Sequence, residues 1–281
     1  MSNKGILYIV ATPIGNLGDI SVRARDVLQD VHKIAAENTR HSKLLLQKLG
    51  IDTELFAYHD FSDGDVAPSI IDELLQGNSI ALISDAGTPL ISDPGYKLVR
   101  LARESGISVL PIPGASSVTA ALSVSGLETD RFAFEGFLPK KTRARQKFLQ
   151  GLKKEKRTVV LFESTHRILD CLRDMEEIFP IGKQVFVARE LSKKFETHFL
   201  GSASECLQWV ESDKNQQKGE FVLVVQGSNE SEIEAARQVA ALKILELLGD
   251  SVSIKDAVAI ASEISGARKN QLYEKALASK S

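Results

Sequence analysis

Three short apolar runs, Ile6 to Ala11, Ser79 to Ile83 and Ile107 to Leu110, each break into a loop dense in glycine and proline. Those loops are Thr12-Pro13-Ile14-Gly15-Asn16, Ser84-Asp85-Ala86-Gly87-Thr88-Pro89 and Pro111-Ile112-Pro113-Gly114-Ala115-Ser116-Ser117. Helical periods separate the runs, as in Asp19 to Gln29. Strands alternating with helices build a mainly parallel sheet. In an open α/β sheet, ligands bind outside the carboxyl ends of the strands. The chain is expected to be α/β, with one crevice where the three loops meet.

The pattern changes further along. Thr158 to Phe162, Gln184 to Ala188, Glu196 to Leu200 and Glu220 to Val225 read as strands, with helical stretches near His166 to Ile178 and Ser204 to Glu211. Gly227 to Ser231 reads as a linker. Beyond it, Ile233 to Leu248 and Ile254 to Leu277 read as helices, with Ser253 an N-cap and Gly266 splitting the last one. The expected domains are an N-terminal α/β domain over residues 1–125, a second α/β domain over 126–228 and a helical appendage over 229–281. Ser92-Asp93-Pro94-Gly95 echoes Ser84-Asp85-Ala86-Gly87, but the echo is too short for an architectural repeat and reads as coincidence.

Composition removes several classes. With 43% hydrophobic and 26% charged residues, the chain is neither disordered nor collagen-like. Cys171 and Cys206 lack any CxxC context and read as reduced core thiols, and no metal site is signalled. No run approaches the ~18 apolar residues of a membrane span, and the first apolar run is too short for a secretory leader; a cytoplasmic location is expected. No two glycines are spaced as GxG, and GxxxxGK[ST], HExxH and GxSxG are absent, which disfavours NAD, ATP, zinc peptidase and hydrolase readings. The net charge of -2 hides an asymmetry, because Arg131 to Val160 holds ten basic and two acidic residues. That run is either a solvated helix face or a phosphate-backbone patch.

The loops themselves call for a small polar ligand. Glycine lets backbone N–H and C=O groups come close, and Asp85 accepts hydrogen bonds from an amine or a ribose. The alternative is that the glycines build turns, Asp85 caps the next helix, and Ser116 and Ser117 are N-caps.

In order, Thr12-Pro13-Ile14-Gly15-Asn16, Glu37-Asn38-Thr39-Arg40, Ser84-Asp85-Ala86-Gly87-Thr88-Pro89 and Pro113-Gly114-Ala115-Ser116-Ser117 resemble the tetrapyrrole-methylase-fold (class III) S-adenosylmethionine methyltransferases. Phe134-Glu135-Gly136-Phe137-Leu138-Pro139-Lys140-Lys141, Phe162-Glu163-Ser164-Thr165-His166-Arg167, Val187-Ala188-Arg189-Glu190-Leu191-Ser192-Lys193 and Lys218-Gly219-Glu220-Phe221-Val222-Leu223-Val224 are similar to its ribosomal RNA branch. The resemblance runs over residues 5–226, and the helical tail is of the branch's kind. One departure from many family members is Ser84-Asp85-Ala86 in place of Gly-Asp-Pro, which keeps the aspartate.

The resemblance implies two α/β domains with S-adenosylmethionine in the cleft between them, commonly a homodimer, and methylation of the ribose 2′-hydroxyl of a decoding-region cytidine in 16S rRNA. It implies Pro13, Ile14, Gly15, Asp85, Ala86, Gly87, Thr88, Ser116 and Ser117 as cofactor contacts from the first domain, with Phe162, Glu163, Ala188, Arg189 and Glu220 closing the pocket from the second. Attack by a weakly acidic hydroxyl needs a base or a nearby cation. Glu37, Glu163, Glu190 and His166 are candidates for the base, with Arg40, Arg167, Arg189 and Lys193 to hold phosphate or developing charge. Glu163, His166, Arg167 and Glu190 are the expected catalytic set.

Lys140, Lys141, Arg143, Arg145 and Lys147, with Arg40, are the expected RNA contacts. Phe134, Phe137 and Phe148 read as core residues rather than base platforms. Recognition is then electrostatic and shape-based, with the assembled small subunit the expected partner. Two rivals stay open: a methyltransferase acting on a small tetrapyrrole-like molecule, and a non-enzymatic RNA-binding protein on the same fold.

Overall fold

The computed structural model describes residues 4–59 and 63–278; residues 1–3 and 279–281, the extreme ends of the outer expected domains, lie outside the described residues. In chain order the first half comprises β1 (Ile6–Val10), α1 (Val22–Asp30), β2 (Lys33–Ala36), α2 (Thr39–Leu49), β3 (Glu54–Ala57), α3 (Asp63–Leu75), β4 (Ile80–Ile83), α4 (Tyr96–Glu104), β5 (Ser108–Ile112) and α5 (Ser117–Val124). The second half comprises β6 (Phe132–Phe137), α6 (Thr142–Leu152), β7 (Thr158–Ser164), α7 (Ile168–Ile178), β8 (Gln184–Arg189), β9 (Thr197–Ser202), α8 (Ala203–Ser212) and β10 (Glu220–Val225). Three helices follow: α9 (Glu230–Leu248), α10 (Ile254–Ser265) and α11 (Lys269–Ala278).

The first sheet is parallel, in the order β3-β2-β4-β1-β5. Every residue of β4 is buried, as expected of a parallel strand covered on both faces. Alternate side chains feed two cores, Leu7, Ile80 and Leu82 on one face, Val10, Ala81 and Ile83 on the other. Ser21 caps α1 through the Ala24 N–H, and Asn38 caps α2 through the N–H groups of Arg40 and His41. The strands that end in the three glycine loops, β4, β1 and β5, are neighbours, so the order of the sheet gathers the loops at one edge.

The second sheet runs β6-β7-β10-β8-β9, with β6 parallel to β7 and the other pairings antiparallel. One face packs on α6, α7 and α8 through Leu149, Leu172, Met175 and Val210. The other meets α5 through Val118, Ala121, Val160, Phe186 and Val224. Cys171 and Cys206 are free and buried; burial pushes both thiols up, Cys206 to about 12, so neither is a nucleophile at neutral pH. The terminal helices have their own core of Ala241, Val258, Ala261, Ala267 and Leu272. Ser253 caps α10 through the Asp256 N–H, and Gly266 in the left-handed region separates α10 from α11. No helix among the described residues is long and apolar enough to cross a membrane.

Candidate active site between the sheets

The loops after β1, β4 and β5 are tied together by backbone and side chain. Thr12 and Gly87 exchange N–H···O bonds of 2.9 and 3.0 Å. Thr88 Oγ1 donates to the carbonyl of Ala115 at 3.2 Å. Opposite them, the ends of β7 and β10 and the loop after β8 complete a cavity of about 490 Å³, within the usual range for small-molecule sites. Its lining includes Ile14, Asp85, Ala86 and Ser117 from the first sheet, with Phe162, Glu163, His166, Leu191 and Glu220 from the second. A smaller hollow of about 290 Å³ shares Ile14, Asp85, Ala86 and Glu220 and adds Pro13, Gly15 and Lys193.

The carboxylates of the crevice differ in their surroundings. Glu163 is fully shielded; its Oε1 accepts from Arg167 Nη2 at 2.7 Å and from the Ser164 N–H at 2.7 Å. Glu163 Oε2 is buried without a partner, as is Asp85 Oδ1. A buried acceptor left unpaired costs about 1–3 kcal/mol, so each of these two lining residues has capacity for one further donor. Burial pushes the Asp93 carboxyl above its ordinary range; Ser84 opposes the shift by hydrogen bonding and Asp85 adds to it by repulsion. Glu190, expected to be catalytic, lines neither hollow; burial disfavours its charge, but bonds from Lys193 Nζ at 2.8 Å and from the Glu220 N–H at 2.9 Å outweigh it and hold that carboxyl low.

Not every expected contact reaches the cavity. Gly87 and Thr88 serve the loop ties just described. Ser116 stands at the N-cap of α5 without a side-chain capping bond, so it does not cap, and Ser117 rather than Ser116 lines the crevice. Asp85 caps no helix, because Gly95 holds the N-cap position of α4. Ala188 is buried within β8 and packs with α5, away from the lining. Arg167 stands behind Glu163, bonded also to the Leu138 carbonyl at 3.0 Å. Arg189 braces two loops through the carbonyls of Lys218 and Phe195. Glu37 lies in an adjacent hollow that also touches Asp85.

The basic run divides. Lys140, Lys141, Arg143 and Lys147 are exposed at the start of α6, whereas Arg145 is 3% exposed with Nε 2.5 Å from Asp174 Oδ2. Arg145 is therefore a buried ion-pair member and not a surface contact: it shares the inward helix face with Leu149 and Leu152. Arg40 is exposed at the first turn of α2 and borders a separate hollow with Lys43.

Ser92, Asp93, Phe137 and Leu191 also line the crevice, although none of them is an expected site residue. The Ser-Asp-x-Gly echo is the signal that points to Ser92 and Asp93. Phe137 corrects the core reading outright, being 56% exposed. Among the described residues, the non-glycine positions with positive φ are Leu90, Ser92, Glu190 and Ser192, all in the two loops that flank this crevice. Such backbone collects at ligand sites.

Residues 6–207 match the family of Tetrapyrrole (Corrin/Porphyrin) Methylases, and residues 235–280 match the RsmI C-terminal HTH domain. The chain is similar to the ribosomal RNA small subunit methyltransferase I of Escherichia coli O157:H7, with 49% identity covering 98% of this chain and 96% of that one. It is similar also to the protein of the same name from Pasteurella multocida (strain Pm70), with 50% identity and 96% of each chain covered. Among solved structures, uroporphyrin-III-C-methyltransferase from Thermus thermophilus aligns with a TM-score of 0.57 at 20% identity, over 79% of this chain and 94% of that one. A cobalt precorrin-4 methyltransferase aligns at 0.58 and 18% identity, over 78% and 94%. At those identities the likeness is one of fold.

Proposed function

This chain belongs to the tetrapyrrole methylase family and to its ribosomal RNA small subunit methyltransferase I group, and on that premise we propose that it methylates the ribose 2′-hydroxyl of a cytidine in the decoding region of 16S rRNA, with S-adenosylmethionine as donor. The observation that carries the proposal is a crevice lined by Asp85 and Glu163, each with one unpartnered buried carboxylate oxygen, beside a run of exposed lysines and arginine.

The residues present fit that cofactor. Asp85 Oδ1 offers an acceptor to its amino or ribose groups, and Ile14, Phe162, Leu191 and Val222 offer apolar walls. Ala86, Ser117 and Glu220 complete the hold, with Pro13 and Gly15 around the smaller hollow. When bound, the cofactor supplies a methyl group on a positively charged sulfur, open to in-line attack.

The chain's own part is positioning and proton removal. Glu163 Oε2 accepts the proton of the attacking hydroxyl, while Arg167 and the Ser164 N–H hold the other oxygen and fix the carboxylate's direction. Holding both reactants in a water-poor crevice converts a bimolecular encounter into an oriented one. His166, exposed on the same rim, faces the incoming nucleotide.

Lys140, Lys141, Arg143 and Lys147 take the phosphates beside the crevice. Helix α6 carries no acidic residue in its first turn and no side-chain cap, so its positive dipole end adds to the lysines. This arrangement reads backbone shape rather than base edges, which favours the assembled subunit over free RNA. The exposed run also weighs against a tetrapyrrole-sized substrate. The proposal includes a homodimer, for which exposed Val124 and Leu200 provide apolar surface and sedimentation the test. Mapping ribose methylation in a strain lacking the protein is the decisive experiment: loss at a single cytidine, restored by the wild-type gene, is expected, and an unchanged map rules the function out.

A further inference from the structure

The ladder between β6 and β7 slips by one residue. Phe134 pairs with Val160, Gly136 with Leu161 and Phe137 with Phe162, so Glu135 is left over as a bulge. An unbroken ladder would pair Phe137 with Glu163 and turn its ring to the face where Leu161 points, under α6 and α7. Because side chains alternate with a period of two, one extra residue sends everything after it to the opposite face. Gly136, at φ +66, supplies the backbone that the bulge requires, and a Cβ there would press on Ser92 Oγ at 3.2 Å.

The result is an aromatic ring turned out of the core and into the mouth of the crevice. Phe137 lines the cavity, is 56% exposed, and meets the Phe162 ring edge-to-face at 5.5 Å between centroids. Phe134 takes the inner position on the same ring at 4.8 Å. Pro139, Lys140 and Lys141 follow directly, so an open aromatic surface lies within a few residues of cations suited to phosphate. Bulges often re-aim a side chain beside an active site. Exposed aromatic rings next to basic residues are the stacking platforms of single-stranded nucleic-acid sites.

We propose that Phe137 stacks on the base of the nucleotide whose ribose is methylated, holding that nucleotide unstacked from its neighbours so that the sugar enters the crevice. The proposal rests on the RNA-methyltransferase reading above. It makes Phe137 a substrate-contacting residue that acts through a π-face and not through charge.

The test is methyl transfer from labelled S-adenosylmethionine to small ribosomal subunits isolated from a strain lacking the protein, using wild type and the variants Phe137→Ala, Phe137→Leu and Phe137→Tyr. Expected are a fall of about tenfold or more in kcat/KM for the subunit with Ala and with Leu, and near wild-type values with Tyr. Cofactor affinity by calorimetry and the salt slope of subunit binding stay unchanged in all three. Full activity with Ala, or rescue by Leu as good as by Tyr, would overturn stacking, since leucine restores bulk but no π-face. A matching loss of cofactor affinity would assign Phe137 to the cofactor pocket and overturn it equally. A wild-type enzyme that leaves the subunit unmethylated brings down the RNA reading and this proposal together, an outcome distinct from an active wild type with indifferent variants.

Discussion

A Cβ on Gly15 would lie 2.2 Å from Cγ of Lys193 and 3.2 Å from the Leu191 carbonyl. The first glycine loop and the loop after β8 thus interlock across the crevice, and the lysine that passes over Gly15 ends on Glu190 at 2.8 Å and Glu220 at 3.0 Å. Gly15→Ala should displace that lysine, costing about 1–3 kcal/mol by overpacking and weakening cofactor binding by roughly tenfold, which is about 1.4 kcal/mol. Adding Lys193→Ala opens the space, so the stability losses should be less than additive in a double-mutant cycle. Strict additivity in urea unfolding would show that the two residues do not compete for room.

Glu163→Gln keeps the size and one acceptor of the side chain but removes the carboxylate. Turnover should fall by roughly a hundredfold or more, in the range of a lost general base, with cofactor affinity and unfolding midpoint nearly kept. Arg167→Ala should behave differently. It strands a buried carboxylate, so it should cost about 3–5 kcal/mol of stability as well as activity. Wild-type turnover in Glu163→Gln would remove the proton-accepting role.

Strands that end at ligand loops are legible in the sequence because β1, β4 and β5 are short, mostly apolar runs that lead into glycine- and proline-rich loops, although β5 runs on through Pro111 and Ile112, which read as loop. β2, β3 and β6 are not: β2 and β3 are short runs with no glycine- and proline-rich loop after them, and the bulge at Glu135 breaks the period of β6. Arg145 is hidden by its charged neighbours, although its spacing to Leu149 and Leu152 is that of one helix face. Its partner Asp174 lies on α7, and a pairing across 29 residues leaves no local trace. Phe137 escapes the sequence for a related reason. Whether an aromatic in a strand points in or out depends on register, and a single glycine changes it.

The same division of the basic run separates two phenotypes. Reversing charge at Lys140, Lys141 and Arg143 should weaken subunit binding and lower the slope of log affinity against log salt by about one for each phosphate no longer neutralised, without changing stability. Arg145→Ala should leave that slope alone and destabilise the fold by about 3–5 kcal/mol, since Asp174 would remain buried with only the 2.9 Å bond from Gln146. Salt titrations of binding and chemical unfolding of both variants decide it, and a reduced slope in Arg145→Ala would return that residue to the RNA face.

Acid should loosen the crevice through Glu190. Its carboxyl sits below the ordinary value of 4.5 despite partial burial, because Lys193 and the Glu220 N–H bond the charged form. A depressed folded value means that the stabilisation is fully present above the unfolded carboxylate range and is lost as pH falls through the folded one. Lys193 behaves in the opposite sense: burial pulls its ammonium down, but the same carboxylates outweigh burial and hold it above the ordinary 10.5. Its contribution is complete below the ordinary lysine range and fades as pH rises past the raised value, so the pair is intact across neutral pH and opens at both extremes. Glu190→Gln retains an oxygen for the Glu220 N–H but cannot titrate. Urea unfolding from pH 7 down to pH 3 should therefore show a shallower loss of stability in Glu190→Gln than in wild type, with the difference growing below about pH 4.5. Parallel curves for the two proteins would mean that Glu190 titrates as freely in the folded chain as in the unfolded one, and that the interlock over Gly15 draws nothing from its charge.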